Sequence, residues 1–249
     1  MKNFTDFQNG VATRIQDAAA ILAQADRDAL ITQAVQQRYS KDRPRVLVTD
    51  VAGNGSNLLA LPTDSEQAGT PVGVFEDGFS QVRAIEFPIG ELPPTYIEDP
   101  DWMMYRAPAG LKILLLLMIA QQSDTLRLTW TCRHSAGGPS SANPVISTTV
   151  PDADFEAVCD LAAALCFEAL AAFYAQTRDP SIGADAVNYR TKSQEYLSLA
   201  KPLRKRYDDH VGVVDGDSGT SASGAAIAIG GMYEVMGSGL DRLTHRRPR

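Results

Sequence analysis

From Phe4 to Arg38 apolar residues recur at helical spacing: Phe7, Val11, Ile15, Ala18, Ala19 and Leu22, then Leu30, Ile31, Ala34 and Val35. Residues three and four apart share one face of a helix, so this pattern predicts two helices. The break falls at "QADRD", where Asp26 can cap the second helix, and the pair reads as a helical hairpin.

After "SKDRPR" the period changes. "VLVTDVAG", "NLLALP", "FSQVRAIEFP", "DWMMYRAP", "GLKILLLLMIA" and "TLRLTWTCRH" are short, rich in β-branched and aromatic residues, and separated by Gly, Pro, Asp and Ser clusters, the marks of strands. "LKILLLLMIAQQSDTLRLTWTCRH" reads as a hairpin turning near "QQSD", its first arm apolar on both faces as a doubly covered strand would be and its second arm alternating. "VAGNGSN" reads as a hairpin turn and not as a phosphate cradle, because "LLALP" follows it where a cradle needs a helix. Residues 45 to 133 are thus expected to form an antiparallel β domain, with "HSAGGPSSANPVISTTVP" as its exit loop.

The helical period resumes at Pro151. Asp152 or Asp154 can cap a helix that carries Phe155, Val158, Leu161, Leu165, Ala169, Leu170 and Phe173 on one broad face. A second helix, from about Asp185 to Asp209, has Val187, Tyr196, Leu199, Leu203 and Tyr207 as its stripe and Pro202 as a kink point. Its later turns crowd Lys192, Lys201, Arg204, Lys205 and Arg206, placed to suit the helix dipole and either solvated or between subunits. The expected fold class is α+β: a four-helix bundle body from residues 1–44 and 151–212, an inserted antiparallel β domain at 45–150, and an extended C-terminal tail at 213–249. That tail is glycine-rich, has one apolar island, "AAIAIGGMYEVM", and cannot build a core of its own.

The 249 residues are 44% hydrophobic, enough for a real core, and a net charge of −7 with a pI near 5.0 argues against a surface built to grip nucleic acid phosphates. Charge is uneven, since "RLTHRRPR" holds Arg242, Arg246, Arg247 and Arg249 and no acid. Cys132, Cys159 and Cys166 are odd in number and lack CxxC spacing, which disfavours disulfides and zinc and fits a reducing interior. The N-terminus lacks a signal-peptide core, and the most apolar run, residues 113–120, is far below the ~20 residues that span a bilayer.

One motif tempts a catalytic reading. "GDSG" around Ser218 is the tetrapeptide that surrounds the nucleophile of trypsin-like proteases, and a serine nucleophile needs a base from among His134, His210 and His245. The residue after the motif is Thr220, where a second glycine would be expected, and the surrounding composition is that of a Gly/Ser tether. His210, beside Asp208 and Asp209, reads as a helix C-cap residue. The acidic clusters "FED", "EDPD" and "YDDH" read as solvated loops, and Trp102 to Tyr105 as a contact patch or a core strand. No GxxxxGK[ST], HExxH, GxSxG or dinucleotide fingerprint occurs. No catalytic residue, metal or cofactor is assigned, and a serine hydrolase using Ser218 stands as the rival reading.

"RIQDAAAILAQADRDALITQAVQQRYSKDRPR", "FSQVRAIEFPIGELPPTYI" with "WMMYRAP", and "DAVNYRTKSQEYLSLAKPLRKRYDDHVG" together resemble the head-to-tail adaptor, or connector, proteins of tailed bacteriophages. The resemblance implies a non-enzymatic virion protein of the neck, assembled in the host cytoplasm, that forms a ring of about twelve copies between the portal and the next neck or tail component. It implies only transient contact with passing DNA and none with a membrane. The β insertion is larger than the family pattern, which leaves its role open. A tail-terminator or stopper protein is the alternative within the same class. Under this reading residues 213–224 are a tether, and Ile227, Ile229, Met232, Tyr233, Val235, Met236, Arg242, Arg246, Arg247 and Arg249 dock on the portal.

Overall fold

The structure is a computed structural model, and it describes residues 2–16, 21–62, 72–98, 100–108, 110–141, 146–176 and 189–212. Helix α1 (Phe4–Ile15) starts at a capping box: Asn3 Oδ1 accepts the Asp6 amide at 3.2 Å, and Asp6 Oδ2 accepts the Asn3 amide at 2.8 Å. It buries Phe7, Val11 and Ile15, one turn apart. Gly10 permits the close approach of the helix that carries Cys159, because a Cβ there would lie 2.9 Å from Cys159 Sγ.

Helix α2 (Gln24–Gln33) begins after Ala23 with no side-chain cap; Asp26 lies inside its first turn, where it suits the dipole, and is not the expected cap. The helix runs on as a π segment (Ala34–Tyr39) and a last turn, α3 (Ser40–Asp42). The wider turn has a visible cause in the sequence. Ala34 and Val35 face the core, and so do Tyr39 and Ser40, five residues later, a spacing that an α-helix would rotate out of line. Ser40 Oγ donates to the Val35 carbonyl at 2.8 Å, across that same interval.

Helix α4 (Asp152–Gln176) is the hub of the helical part and touches α1, α2, the π segment and α5 (Tyr189–Val211). From Ala157 to Phe167 it is buried nearly all round, Leu165 alone being partly open, so its alanines serve close packing and the single broad face expected of it is too narrow. An 18-residue window of α4 is as apolar as a bilayer-crossing helix, and 67% of that window is buried against the protein. Phe173, expected on the buried face, is 60% exposed. Along α5 the buried stripe is Ala200, Leu203, Tyr207 and Val211 with Tyr196 packed beside it, while Leu199 faces outward; Val187 lies outside the described residues. Pro202 is exposed, where water can serve the carbonyl it frees.

Between α3 and α4 stand two three-stranded antiparallel sheets, ordered β1-β6-β3 and β2-β5-β4. Their strands are β1 (Arg45–Ala52), β2 (Leu58–Leu59), β3 (Val82–Glu86), β4 (Trp102–Ala107), β5 (Gly110–Leu115) and β6 (Thr125–Cys132). The described residues thus form an α+β chain with helices before and after the sheets. Leu126, Leu128, Trp130 and Cys132 point inward at period two from β6 and meet Leu59, Ile113 and Leu115 of the other sheet in a core separate from that of the helices.

The expected β5–β6 hairpin does not form: β5 pairs with β2 and β4, and β6 with β1 and β3. The chain changes sheet after Leu115, and Leu116, Leu117 and Ile119 are exposed by 50%, 78% and 55%, so past Leu115 the run read as doubly covered keeps only Met118 and Ala120 against the core. "VAGNGSN" likewise joins different sheets and is a corner instead of a hairpin turn. Its Gly53 is obligatory, because a Cβ would sit 2.0 Å from the Gln121 carbonyl oxygen. The exit loop returns to the helices: Ala136 and Val150 belong to the helical core, and Gly138 and Lys2 carbonyls accept from Phe4 and Thr148.

Candidate functional site

Three parts of the chain meet where α3 hands over to β1: the segment leading into the sheets, the segment returning from them, and the C-terminal end of α5. Asp154, in the first turn of α4, holds them together. Its side chain is 6% exposed and accepts from Tyr39 Oη at 2.6 Å, from Arg43 Nη1 at 2.9 Å to each oxygen, and lies 2.8 Å from His210 Nε2. Burial pulls this carboxyl upward, but the hydrogen bonds from Tyr39, His210 and Arg43, with the Arg43 charge, outweigh it and hold the group below its ordinary value. Burial and the same carboxylate push the Tyr39 phenol up.

Arg43 extends the clamp. Its Nη2 reaches the His210 and Val211 carbonyls at 3.3 and 3.4 Å, orphan acceptors at the end of α5. Tyr207 Oη donates to Asp42 at 2.8 Å, and Arg38 bridges Asp42 at 3.1 Å and Asp208 at 3.6 Å. On the segment returning from β6 His134 is 6% exposed, its amide donates to Ser40 Oγ at 2.8 Å, and Nδ1 lies 2.9 Å from the Thr149 carbonyl. Its ring packs on Tyr39 at 4.9 Å, and burial is the main cause that lowers its pKa. Arg133 carries the tie into the sheets, donating to the Gln36 carbonyl at 2.7 Å, pairing with Glu76 at 2.5 Å and stacking on Phe79. The arrangement is a mechanical joint: it fixes where the insertion stands and where the chain beyond Gly212 departs.

A second feature lies on the helices. α2, the π segment, α3, α4 and α5 line an open pocket of about 490 Å³ with Leu161 and Leu165 as its floor and Gln33, Gln37, Arg38, Lys41, Arg204 and one acid, Asp208, around its mouth. Lys201 and Lys205 are exposed on the same stretch of α5 as the lining residue Arg204, so residues 201–206 present Lys201, Arg204, Lys205 and Arg206 with no acid among them. Arg204 pairs with Glu168 at 2.9 Å and Arg206 with Asp160 at 3.8 Å, whereas Lys41, Lys201 and Lys205 make no ion pair among the described residues.

Every residue assigned to portal docking, from Ile227 to Arg249, lies outside the described residues, as do Ser218 and His245. His210 is not a mere helix cap, since its ring reaches the base of α4. Cys159 and Cys166 are fully buried, with thiols pushed up to about 12 by burial, which suits the packing role expected of them. Among the described residues no three of His, Cys, Asp and Glu converge into a metal-holding group. The joint was missed because its members are far apart in sequence; the one signal for it was Asp154, read only as a cap. Compared with known protein families, curated proteins and solved structures, the chain matches none.

Proposed function

We propose that this chain is a structural protein of the neck of a tailed bacteriophage, a ring component set between portal and tail through which DNA passes. The observation that carries the reading is the Asp154–Arg43 joint, which anchors the departure point of the C-terminal segment to the same few residues that hold the β insertion. A part that transmits attachment from one neighbour to another needs such a rigid connection between its two attachment elements. Sequence supports it too: the stretches that resemble connector proteins fall on the last two residues of α1 and on α2 to α3, on β3, β4 and the loop between them, and on α5. The helices act as a four-helix bundle body with α4 at its centre, and the segment after Gly212 is the tether and portal-docking element.

Its apolar residues Ile227, Ile229, Met232, Tyr233, Val235 and Met236 supply buried area at roughly 25 cal/mol per Å². Arg246, Arg247 and Arg249 pair with acids on the partner and set register. About twelve tethered copies around a ring multiply a weak single contact through effective concentration. The net charge of −7 suits a conduit that must not hold passing DNA. Against the hydrolase alternative, His134 is buried with Nδ1 turned to Thr149, and Thr220 stands after the GDSG motif where a second glycine would be expected.

The test is deletion after Gly212. The truncated protein is expected to keep its helical and β circular dichroism and to fail to attach to portal-bearing heads. Normal attachment with infectious particles would overturn the docking role.

A further inference from the structure

Five of the molecule's seven net negative charges come from residues 45–133, which hold eleven acids and six basic residues. The basic run of α5 is on the other side of that balance. Within the insertion, the loop from Pro88 to Glu98 stands out. Leu92 at its tip is 94% exposed and Tyr96 is 53% exposed, and both are flanked by exposed carboxylates, Glu91 and Glu98. Apolar side chains on an acidic loop tip gain nothing from water.

The loop is also held in shape. The Phe87 amide donates to the Thr95 carbonyl at 2.9 Å, the Ile97 amide to the Ile85 carbonyl at 2.8 Å, and Thr95 Oγ1 to Glu91 at 2.8 Å. A knob fixed at its base loses little conformational freedom on docking. Its complement is present on the same chain: the pocket floored by Leu161 and Leu165 has Lys41 at its mouth, and Lys201 and Lys205 are exposed on α5 within four residues of its lining residue Arg204, none of the three lysines in an ion pair among the described residues. The exposure of Leu92 shows that the knob does not fill the pocket of its own chain.

We infer that the Pro88–Glu98 loop of one copy seats in the α2/α4/α5 pocket of the next copy, Leu92 on Leu161 and Leu165, with Glu91 and Glu98 beside Lys41, Lys201 and Lys205. This rests on the ring reading given above and names the contact between neighbours. Opposite charge on knob and rim favours this pairing and opposes knob on knob or rim on rim. The contact is heterologous, so each copy offers one knob and one pocket, and repetition closes a ring when the rotation between copies divides a full turn.

The test uses the full chain with Leu92→Cys and Gln37→Cys, both exposed positions, oxidised at high concentration or on portal-bearing heads. The three native cysteines are buried, so the introduced thiols are the reactive pair. The doubly substituted protein is expected to give a ladder of disulfide-linked oligomers, and an equal mixture of the two single variants to give a dimer. Adding Glu91→Lys with Glu98→Lys should cut linking on the order of tenfold, and further adding Lys201→Glu with Lys205→Glu should restore it. Linking by Leu92→Cys alone, no linking on assembled heads, or no rescue by the second charge reversal would overturn the proposal. The adaptor reading fails separately: a protein that gives the ladder yet never attaches to portal-bearing heads refutes that reading and leaves this contact standing.

Discussion

At the scale of single residues, the joint is built from groups that each depend on a distant partner. Tyr39 and Asp154 are 115 positions apart, and Arg43 and Val211 are 168 apart. Helix faces such as Phe7, Val11 and Ile15 could be read from spacing because their partners matter less than their period. A buried hydrogen-bond network has no period, so nothing local announced that Asp154 would face Tyr39, Arg43 and His210. His134 makes this testable through pH. Burial outweighs its hydrogen bond to Thr149 and lowers its pKa, so between the folded and unfolded values the unfolded chain binds more protons than the folded one. The stability it contributes is fully present above the unfolded value of about 6.5 and is lost as pH falls toward the folded value. Thermal unfolding from about pH 7.5 to about pH 5.5 should show this loss, and His134→Gln should flatten it. An unchanged pH slope in the variant would show that another group carries the effect.

At the scale of elements, the existence of most strands and helices was legible, and their pairing was not. All six segments read as strands contain one, because β-branched runs between turn residues are local signals. Which strand lies beside which depends on long-range burial, and "ILLLLMIA" was misread for that reason: its apolar character continues past the point where its strand stops. The π segment escaped notice because Ala34, Val35, Tyr39 and Ser40 fit a core only with a five-residue spacing, which an α-helical template does not score. The misreading at β5 yields a paired expectation. Leu115 is fully buried between the sheets and Leu117 is 78% exposed. Leu115→Ala should therefore cost about 2–5 kcal/mol in denaturant unfolding, and Leu117→Ala no more than about 0.5 kcal/mol. Equal costs would mean that Leu117 is covered in the folded protein in solution.

At the scale of the whole molecule, two separate cores are tied by a polar joint, and the surface divides into an acidic insertion and a basic turn of α5. Exposed large apolar side chains come in groups of two or three: Val46 and Val48 on β1, Val72 and Val74 before β3, Leu92 and Tyr96 on one loop, Met103, Met104 and Tyr105 on the edge strand β4, Leu116, Leu117 and Ile119 at one corner, and Leu197 and Leu199 on α5, with Ile21, Ile146 and Phe173 elsewhere. Stable obligate oligomers bury more than about 2,000 Å² with an apolar centre, and contacts below about 1,200 Å² are weak on their own. A knob of two side chains in one pocket belongs to the second kind. Charge attraction between copies raises the rate of meeting more than the lifetime of the contact, and salt screens it over about 8 Å at physiological strength. The free protein is therefore expected to sediment as a monomer or a weak, salt-sensitive oligomer at micromolar concentration, and to form its ring only where a template holds neighbouring copies together. Analytical ultracentrifugation at low and high salt measures this directly. A stable ring of high order without portal, indifferent to salt, would require an apolar interface much larger than these surfaces provide.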